Sequence, residues 1–223
     1  MAIVVDTKDC TALSDAELGE MADICVDGPA DYDVGLISKQ QEEWVLVTQA
    51  REANKLLGFS FCTLERIGGT PSVLVVLASV KRNGKRDQVL KALVGDQLRR
   101  AVLAFPDEDV LVGTRLLDPA GYNAYKGLED IVPRPGHKAT GEERAWGRRL
   151  AKRFGTEGRI DDRTFIVKGN GSPCGALDHE ALKPNGVDAE IKKFFQPLDR
   201  KRGDSLVAFG WAMADDLAAR VGK

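Results

Sequence analysis

Apolar and polar positions along this chain follow two rhythms, one with the two-residue period of strands and one with the wider spacing of helices. The clearest passage runs from Ser72 to Leu103. It opens with SVLVVLASV, a β-branched apolar run too short to cross a membrane and suited to a buried strand. A basic turn, KRNGKRD, comes next. In the segment after it, Val89, Leu90, Leu93, Val94, Leu98, Val102 and Leu103 recur at spacings of three and four, on one side of a helix. A strand, a basic turn and an amphipathic helix in that order make an anion site. Backbone N–H groups at the helix start carry partial positive charge, and Lys81, Arg82, Lys85 and Arg86 add full charges around them. The ligand this predicts is a phosphate or pyrophosphate.

The same reading extends to both sides. Ala2 to Asp6 suits an edge strand. Thr11 to Asp27 reads as a helix, with Ser14 as N-cap, Glu17 completing a capping box and Leu13 with Leu18 placed to form a staple. Tyr32 to Glu43 reads as either a loop or a short second helix. Trp44 to Gln49, Leu56 to Arg66 and Ser72 to Val80 are strands joined by short polar links, which predicts an antiparallel meander. The helix from about Asp87 to Leu103 leads to a strand at Val110 to Leu116, so this strand and Ser72 to Val80 should be parallel neighbours. Asp118 as N-cap and Pro119 at the first position start a short helix to Lys126. Further on, Thr140 and Glu143 start a basic helix through Phe154. Thr164 to Lys168 and Ser205 to Trp211 are strands, Asp188 to Phe195 is a helix, and another spans Met213 to Val221. The fold class is α+β, a mixed, mostly antiparallel sheet flanked by helices. No internal repeat or low-complexity linker divides the chain. One domain is therefore expected over 1–223, with a core over about 1–132 and a C-terminal region, 133–223, that completes or extends the sheet.

Composition narrows the partners. Of 223 residues 43% are hydrophobic and 30% charged, and the net charge is −2, so no global basic field recruits nucleic acid or a membrane. Neither is an expected partner. Cys10, Cys25, Cys62 and Cys174 form no CxxC pair or zinc spacing, and Asp161-Asp162 and Asp215-Asp216 lack a ligand pattern, so no metal is expected. The first residues, MAIVVDTKDC, reach acidic side chains too early for a signal peptide, which predicts a cytoplasmic protein with reduced thiols. His137 and His179 lie in loop-like stretches, and Cys174 or Ser172 beside His179 makes no nucleophile elbow. The basic run Arg144, Arg148, Arg149, Lys152 and Arg153 has only Trp146 among it and reads as a solvated or acid-facing surface.

The order of these parts resembles the GNAT superfamily of N-acetyltransferases, over roughly Ser14 to Leu128. Ser72 to Leu103 is similar to that family's coenzyme A motif: Lys81-Arg82-Asn83-Gly84-Lys85-Arg86 keeps its glycine at Gly84 and departs from it at Arg86, where a small residue is usual. DPAGYNAYKGL, from Asp118 to Leu128, resembles the second motif, a capped helix ending in Tyr and Gly. The resemblance implies transfer of an acyl group, with acetyl-CoA or a related acyl-CoA as donor and a small-molecule or protein amine as acceptor. Backbone groups of Ala78, Ser79 and Val80 would pair with the donor's amides, and the turn Lys81, Arg82, Asn83, Gly84, Lys85, Arg86 with Asp87 would hold its pyrophosphate. Tyr125 would protonate the departing thiolate, Tyr122 being the other tyrosine on that helix. Relatives often carry a glutamate base on the strand that here has no carboxylate; Glu65 next door, or ordered water, takes that place. A homodimer is among the assemblies the family implies. Two other readings stand beside this one: a non-catalytic module of the same fold that binds acyl-CoA or a partner, and a transferase with an aminoacyl donor.

Overall fold

The computed structural model describes residues 2–28, 30, 32–173 and 175–216. Their organising feature is one mixed sheet, 10-stranded among the described residues, with apolar clusters on both faces. The N-terminal half is a meander. β1 (Val4–Asp9) is the edge, and β2 (Leu46–Glu52), β3 (Lys55–Ile67) and β4 (Thr70–Val80) follow antiparallel in chain order. Two-residue turns at Ala53-Asn54 and Gly68-Gly69 join the hairpins. All four residues have positive φ, which matches the right-handed twist of the flanking strands.

Helices cover the sheet on both sides. α1 (Asp15–Cys25) begins with the expected capping box between Ser14 and Glu17. The undecided stretch after it holds α2 (Val34–Glu43), capped by Asp33, which accepts from the Leu36 amide. These two pack over the face lined by Phe59, Phe61 and Leu74. On the other face lies α3 (Arg86–Ala104), burying Val89, Leu90, Leu93, Val94 and Leu98. Leu103, placed by spacing on the apolar stripe, is 66% exposed, while Asp96 and Gln97 are buried. Polar partners explain this exchange: Thr7 Oγ1 donates to Asp96 Oδ2 at 2.7 Å, Arg99 and Arg100 grip the same carboxylate, and Gln97 Nε2 donates to Ser60 Oγ.

Past α3 the chain enters β5 (Val110–Leu116), which pairs with β4 in parallel as the crossover predicts. α4 (Pro119–Tyr122) is shorter than expected. After Tyr122 the chain continues in i→i+3 turns through Leu128, a tighter winding that suits its Gly and Asn content. β6 (Glu129–Val132) then pairs with the last strand.

The C-terminal region joins the same sheet. α5 (Gly141–Arg153) starts with the Thr140–Glu143 capping box. β7 (Ile160–Asp161) and β8 (Ile166–Val167) are short, β9 (Leu177–Asp178) is shorter than any sequence pattern marks, and α6 (Ala189–Phe195) is capped by Asp188. β10 (Ser205–Ala212) runs antiparallel to β5 along its whole length and carries β8 on its far side. The helix expected at Met213 to Val221 falls largely outside the described residues. No described helix is long and apolar enough to cross a membrane.

Candidate functional site

The site begins with a fault in β4. Opposite β3, Ser60 faces Ala78 and Cys62 faces Val75, so Phe61 alone stands against both Val76 and Leu77. This is a β-bulge, and Val76 and Leu77 accordingly pack into the same apolar cluster. A bulge bends its strand and raises its twist. β4 pairs with β5 only from Ser72 to Val75, and beyond Val75 and Thr114 the two parallel strands part. Their backbone groups then face an open fork that ends at the basic turn.

The chain itself enters that fork. β9 lies between the parted strands and parallel to both, with Leu177 beside Ala78 and Leu116, and Asp178 beside Ser79. The Ala78 amide donates to Ala176 O at 3.4 Å and the Leu117 amide to Leu177 O at 3.1 Å. From the fork the segment passes over the basic turn. Arg82 Nη2 donates to Asp178 Oδ2 at 2.7 Å, with the aspartate 2% exposed. His179 Nε2 lies 2.8 Å from Asp87 Oδ1 at the start of α3, Arg86 Nη2 donates to Ala181 O, and the Leu182 amide donates to the Asp87 carboxylate. Burial pushes the Asp178 carboxyl up, although Arg82 opposes it, and burial pulls His179 down despite Asp87.

Two residues of the α1–α2 side hold the start of this segment. Tyr32 Oη both donates to Ala176 O and accepts from the Ala176 amide, and buried Arg115 donates to Gly175 O at 3.4 Å. Packing is close elsewhere too. A β-carbon at Gly28 would meet Asp178 Oδ2 at 2.6 Å, and one at Gly121 would meet Leu177 Cδ2 at the same distance. Sequence reasoning set His179 aside and did not single out Asp178 or Tyr32. A two-residue strand carries no periodicity, so the only available signal was the Gly and Pro content around it.

The structure places the other candidates as follows. Ala78, Ser79 and Val80 line the fork on β4, all buried. In the turn, Lys85 Nζ reaches Glu52 at 2.5 Å, and Asn83 Oδ1 accepts from the Lys85 amide. Gly84 lacks positive φ, and a β-carbon there would meet nothing within 4 Å, so conformational freedom is not what this glycine supplies. Tyr125 lies in the same apolar cluster as Leu177. Its hydroxyl is buried without a hydrogen-bond partner among the described residues, near Thr114, the β5 residue at the root of the fork. Burial pushes its pKa up, so the phenol stays protonated. Tyr122 turns away and donates to Pro133 O at 2.7 Å.

Glu65 is not brought to this place. It pairs with Ser72 at the start of β4, six residues from Ala78 and thus about 20 Å away along the strand. Its carboxylate accepts from Arg153 Nε at 2.8 Å, and Arg153 in turn stacks on Trp44. Arg66, its sequence neighbour, pairs with Glu108 instead.

Around the fork, Ser79 Oγ, Arg82 Nε, Arg86 Nε, Asp178 Oδ1 and His179 Nδ1 are buried without a partner among the described residues. Beside the turn lies a cavity of about 290 Å³, with Lys91, Asn123, Lys126, His179 and Lys183 in its wall. Parted strands, unpaired buried donors and a cationic hollow are the shape of a cleft for an extended, anionic molecule. Among the described residues no group of three or more His, Cys, Asp or Glu side chains is arranged to hold a metal ion.

This architecture is the GNAT fold, with strands added at its C-terminal end. Similar solved structures include the ribosomal-protein-S18-alanine N-acetyltransferase from Escherichia coli, at 12% identity and a TM-score of 0.50 over 94% of this chain and 95% of that one. The IAA acetyltransferase from Bacillus cereus matches at 10% identity and a TM-score of 0.45, over 95% of this chain and 100% of that one. The aminoglycoside 6'-N-acetyltransferase from Enterococcus faecium matches at 15% identity and a TM-score of 0.40, over 52% of this chain and 62% of that one. At these identities the likeness is one of fold. No protein-family model matches the chain, and no curated protein does.

Proposed function

We propose that this chain is an acyl-CoA-dependent N-acyltransferase, with acetyl-CoA as donor and an amine as acceptor. The observation that carries this reading is the parting of β4 and β5 directly above a basic strand-to-helix turn. Such a fork has backbone groups that β4 and β5 do not spend on each other and that can serve an amide-bearing arm, and the turn offers cations to a diphosphate. The unpartnered Arg82 Nε, Arg86 Nε and Ser79 Oγ fit that donor chemistry. The lysine-lined cavity between α3 and α4 fits a phosphorylated nucleotide. Within this reading the donor supplies the activated acyl carbon, and the chain's residues bind, orient and handle protons.

The Ala78 amide aligns the arm. The cationic turn draws the anionic end and sets how deep the donor sits. Tyr125 holds a proton on a hydroxyl at the root of the fork, where the sulfur would lie, and releases it to the departing thiolate. Its raised pKa keeps it in the form a proton donor needs. With Glu65 placed at the far end of β4, no side chain is assigned as base; the acceptor amine loses its proton to water.

A second reading is supported by the filled fork. A non-catalytic module of the same fold needs no open donor cleft, and here Arg82, Lys85 and Arg86 all have protein partners. Thiol release from acetyl-CoA, measured across a panel of small amines and peptide N-termini, separates the two. Turnover with any acceptor upholds the enzyme. Coenzyme A binding without turnover across the panel favours the module.

A further inference from the structure

We infer that residues 176–186 are an intramolecular occupant of the donor cleft, and that acyl-donor binding and seating of this segment exclude one another. The inference rests on the reading of the fork as a donor site. The segment takes the positions an extended anionic ligand would use, in the same order. Ala176 receives the Ala78 amide, Leu177 fills the gap between β4 and β5, the Asp178 carboxylate meets Arg82, and the Ala181 carbonyl meets Arg86. A donor with amides in its arm and a diphosphate at the turn would need these same groups. The two cannot share them.

The seat is also imperfect, which is what a displaceable occupant requires. β9 has two residues, pairs with β4 only at Leu177 and Asp178 and with β5 only at Leu177, and the Ala78 amide reaches Ala176 O at 3.4 Å. Five buried polar atoms of the seat, on Ser79, Arg82, Arg86, Asp178 and His179, are left without partners among the described residues. Each is a buried polar group that no protein atom satisfies in the seated state. Turn-forming residues stand at both ends, Gly171-Ser172-Pro173 before the segment and Lys183-Pro184-Asn185-Gly186 as its last four residues. Arg115 holds Gly175, so the motion is a pivot about that residue: residues 176–186 leave the fork, and Ala176 gives up its bonds to Tyr32 and to the Ala78 amide. Segments with few backbone bonds and short strands are the ones that open below the cost of global unfolding.

Hydrogen–deuterium exchange of the full chain, with and without coenzyme A, tests this directly. The amides of residues 177–182 are expected to exchange about tenfold faster with coenzyme A bound, while those of residues 81–89 slow. Slowed or unchanged exchange at 177–182 together with slowed exchange at 81–89 overturns the exclusion and leaves the donor reading intact. Two variants add an affinity arm. His179→Ala removes the neutral contact to Asp87, and the nearly isosteric Asp178→Asn weakens the tie to Arg82; both should bind coenzyme A about tenfold tighter than wild type. Equal affinity in all three proteins overturns the inference. Absence of coenzyme A binding in all three, with exchange unchanged throughout, overturns the donor reading itself and the inference with it.

Discussion

β4 and β9 lie side by side in the fork and are both buried, yet little else about them is alike. β4 has 11 residues, mostly apolar, and is paired with β3 along nearly its whole length. β9 has two, paired with β4 at Leu177 and Asp178 and with β5 at Leu177 alone, and tied down by one ion pair and the packing of Leu177 under α4. Burial alone therefore does not tell a strand that defines the core from one that is fitted into it. The difference is in how many bonds must break together. Removing β4 dissolves the sheet, whereas removing β9 reopens a fork that the bulge at Val76-Leu77 has already made.

The sharpest break between the two regions comes from truncation. Ending the chain after Gly136 removes β10 and leaves β5 with an unpaired edge along its full length. Aggregation is expected in place of a smaller stable protein. A soluble, monodisperse fragment in size-exclusion chromatography would instead make the C-terminal region separable, against the single-domain layout proposed for residues 1–223.

Matched substitutions in the two strands come next. Leu74 and Leu177 are both fully buried leucines. Leu74→Ala should cost about 2–5 kcal/mol in urea denaturation, the usual range for a buried leucine. Leu177→Ala should fall below that range, because the segment can leave the fork without opening the core. Equal costs would show that β9 is as integral as β4.

At the root of the fork, Tyr125→Phe should lower kcat by about 10²-fold with little change in coenzyme A affinity, provided an acceptor is found. A fully active variant moves the proton to Tyr122 or to solvent. Gly84→Val should weaken coenzyme A binding while leaving the melting temperature unchanged, since a β-carbon there meets no neighbour. Undiminished affinity would remove this turn from the donor site.

The smallest expected effect is on acid stability, and it also contrasts the two regions. At Glu17, in the N-terminal half, burial raises the pKa, but hydrogen bonds from Lys8, the Ser14 amide and Gln49 outweigh it and bring the carboxyl to about 2. At Asp204, in the C-terminal region, the Arg202 hydrogen bond leads, burial opposes it, and the Gly169 and Asp199 amides add to it, again reaching about 2. Both values are depressed in the folded state. Their stabilisation is therefore complete above the ordinary carboxylate range and is lost as pH falls from about 4 toward 2. Glu17→Gln should flatten the acid limb for the α1 side and Asp204→Asn for the β10 side, read by exchange-resolved acid titration. Identical profiles in both variants would mean that the two regions do not unfold separately.

Much of the fold is legible in the sequence. The meander, the crossover from β4 through α3 to β5, both capping boxes and the strand expected at Ser205 to Trp211 all follow from spacing and caps, because each is settled within a few residues of itself. The length of α4 is not legible, since Asp118 and Pro119 mark a helix start and nothing nearby says how soon the helix tightens. The exposure of Leu103 is hidden for a related reason: helical spacing assigns a face, but only the neighbours decide which end of that face is covered. Among the site residues, the sequence placed the basic turn and the two tyrosines in their segments. It did not separate buried Tyr125 from Tyr122, whose hydroxyl is tied to Pro133.

By itself, then, the amino-acid order determined where the longer strands and helices lie, and that a cationic turn follows a buried strand. Only the tertiary structure decided that β4 bulges and parts from β5, that Glu65 lies at the wrong end of its strand to reach the fork, and that residues about 100 positions away along the chain fill the gap. The physical reason is range. Periodicity and capping are local energies, recorded in neighbouring residues. The match of Leu177 to the fork and of Asp178 to Arg82 exists only once distant segments meet, and two residues are too few to announce it in advance.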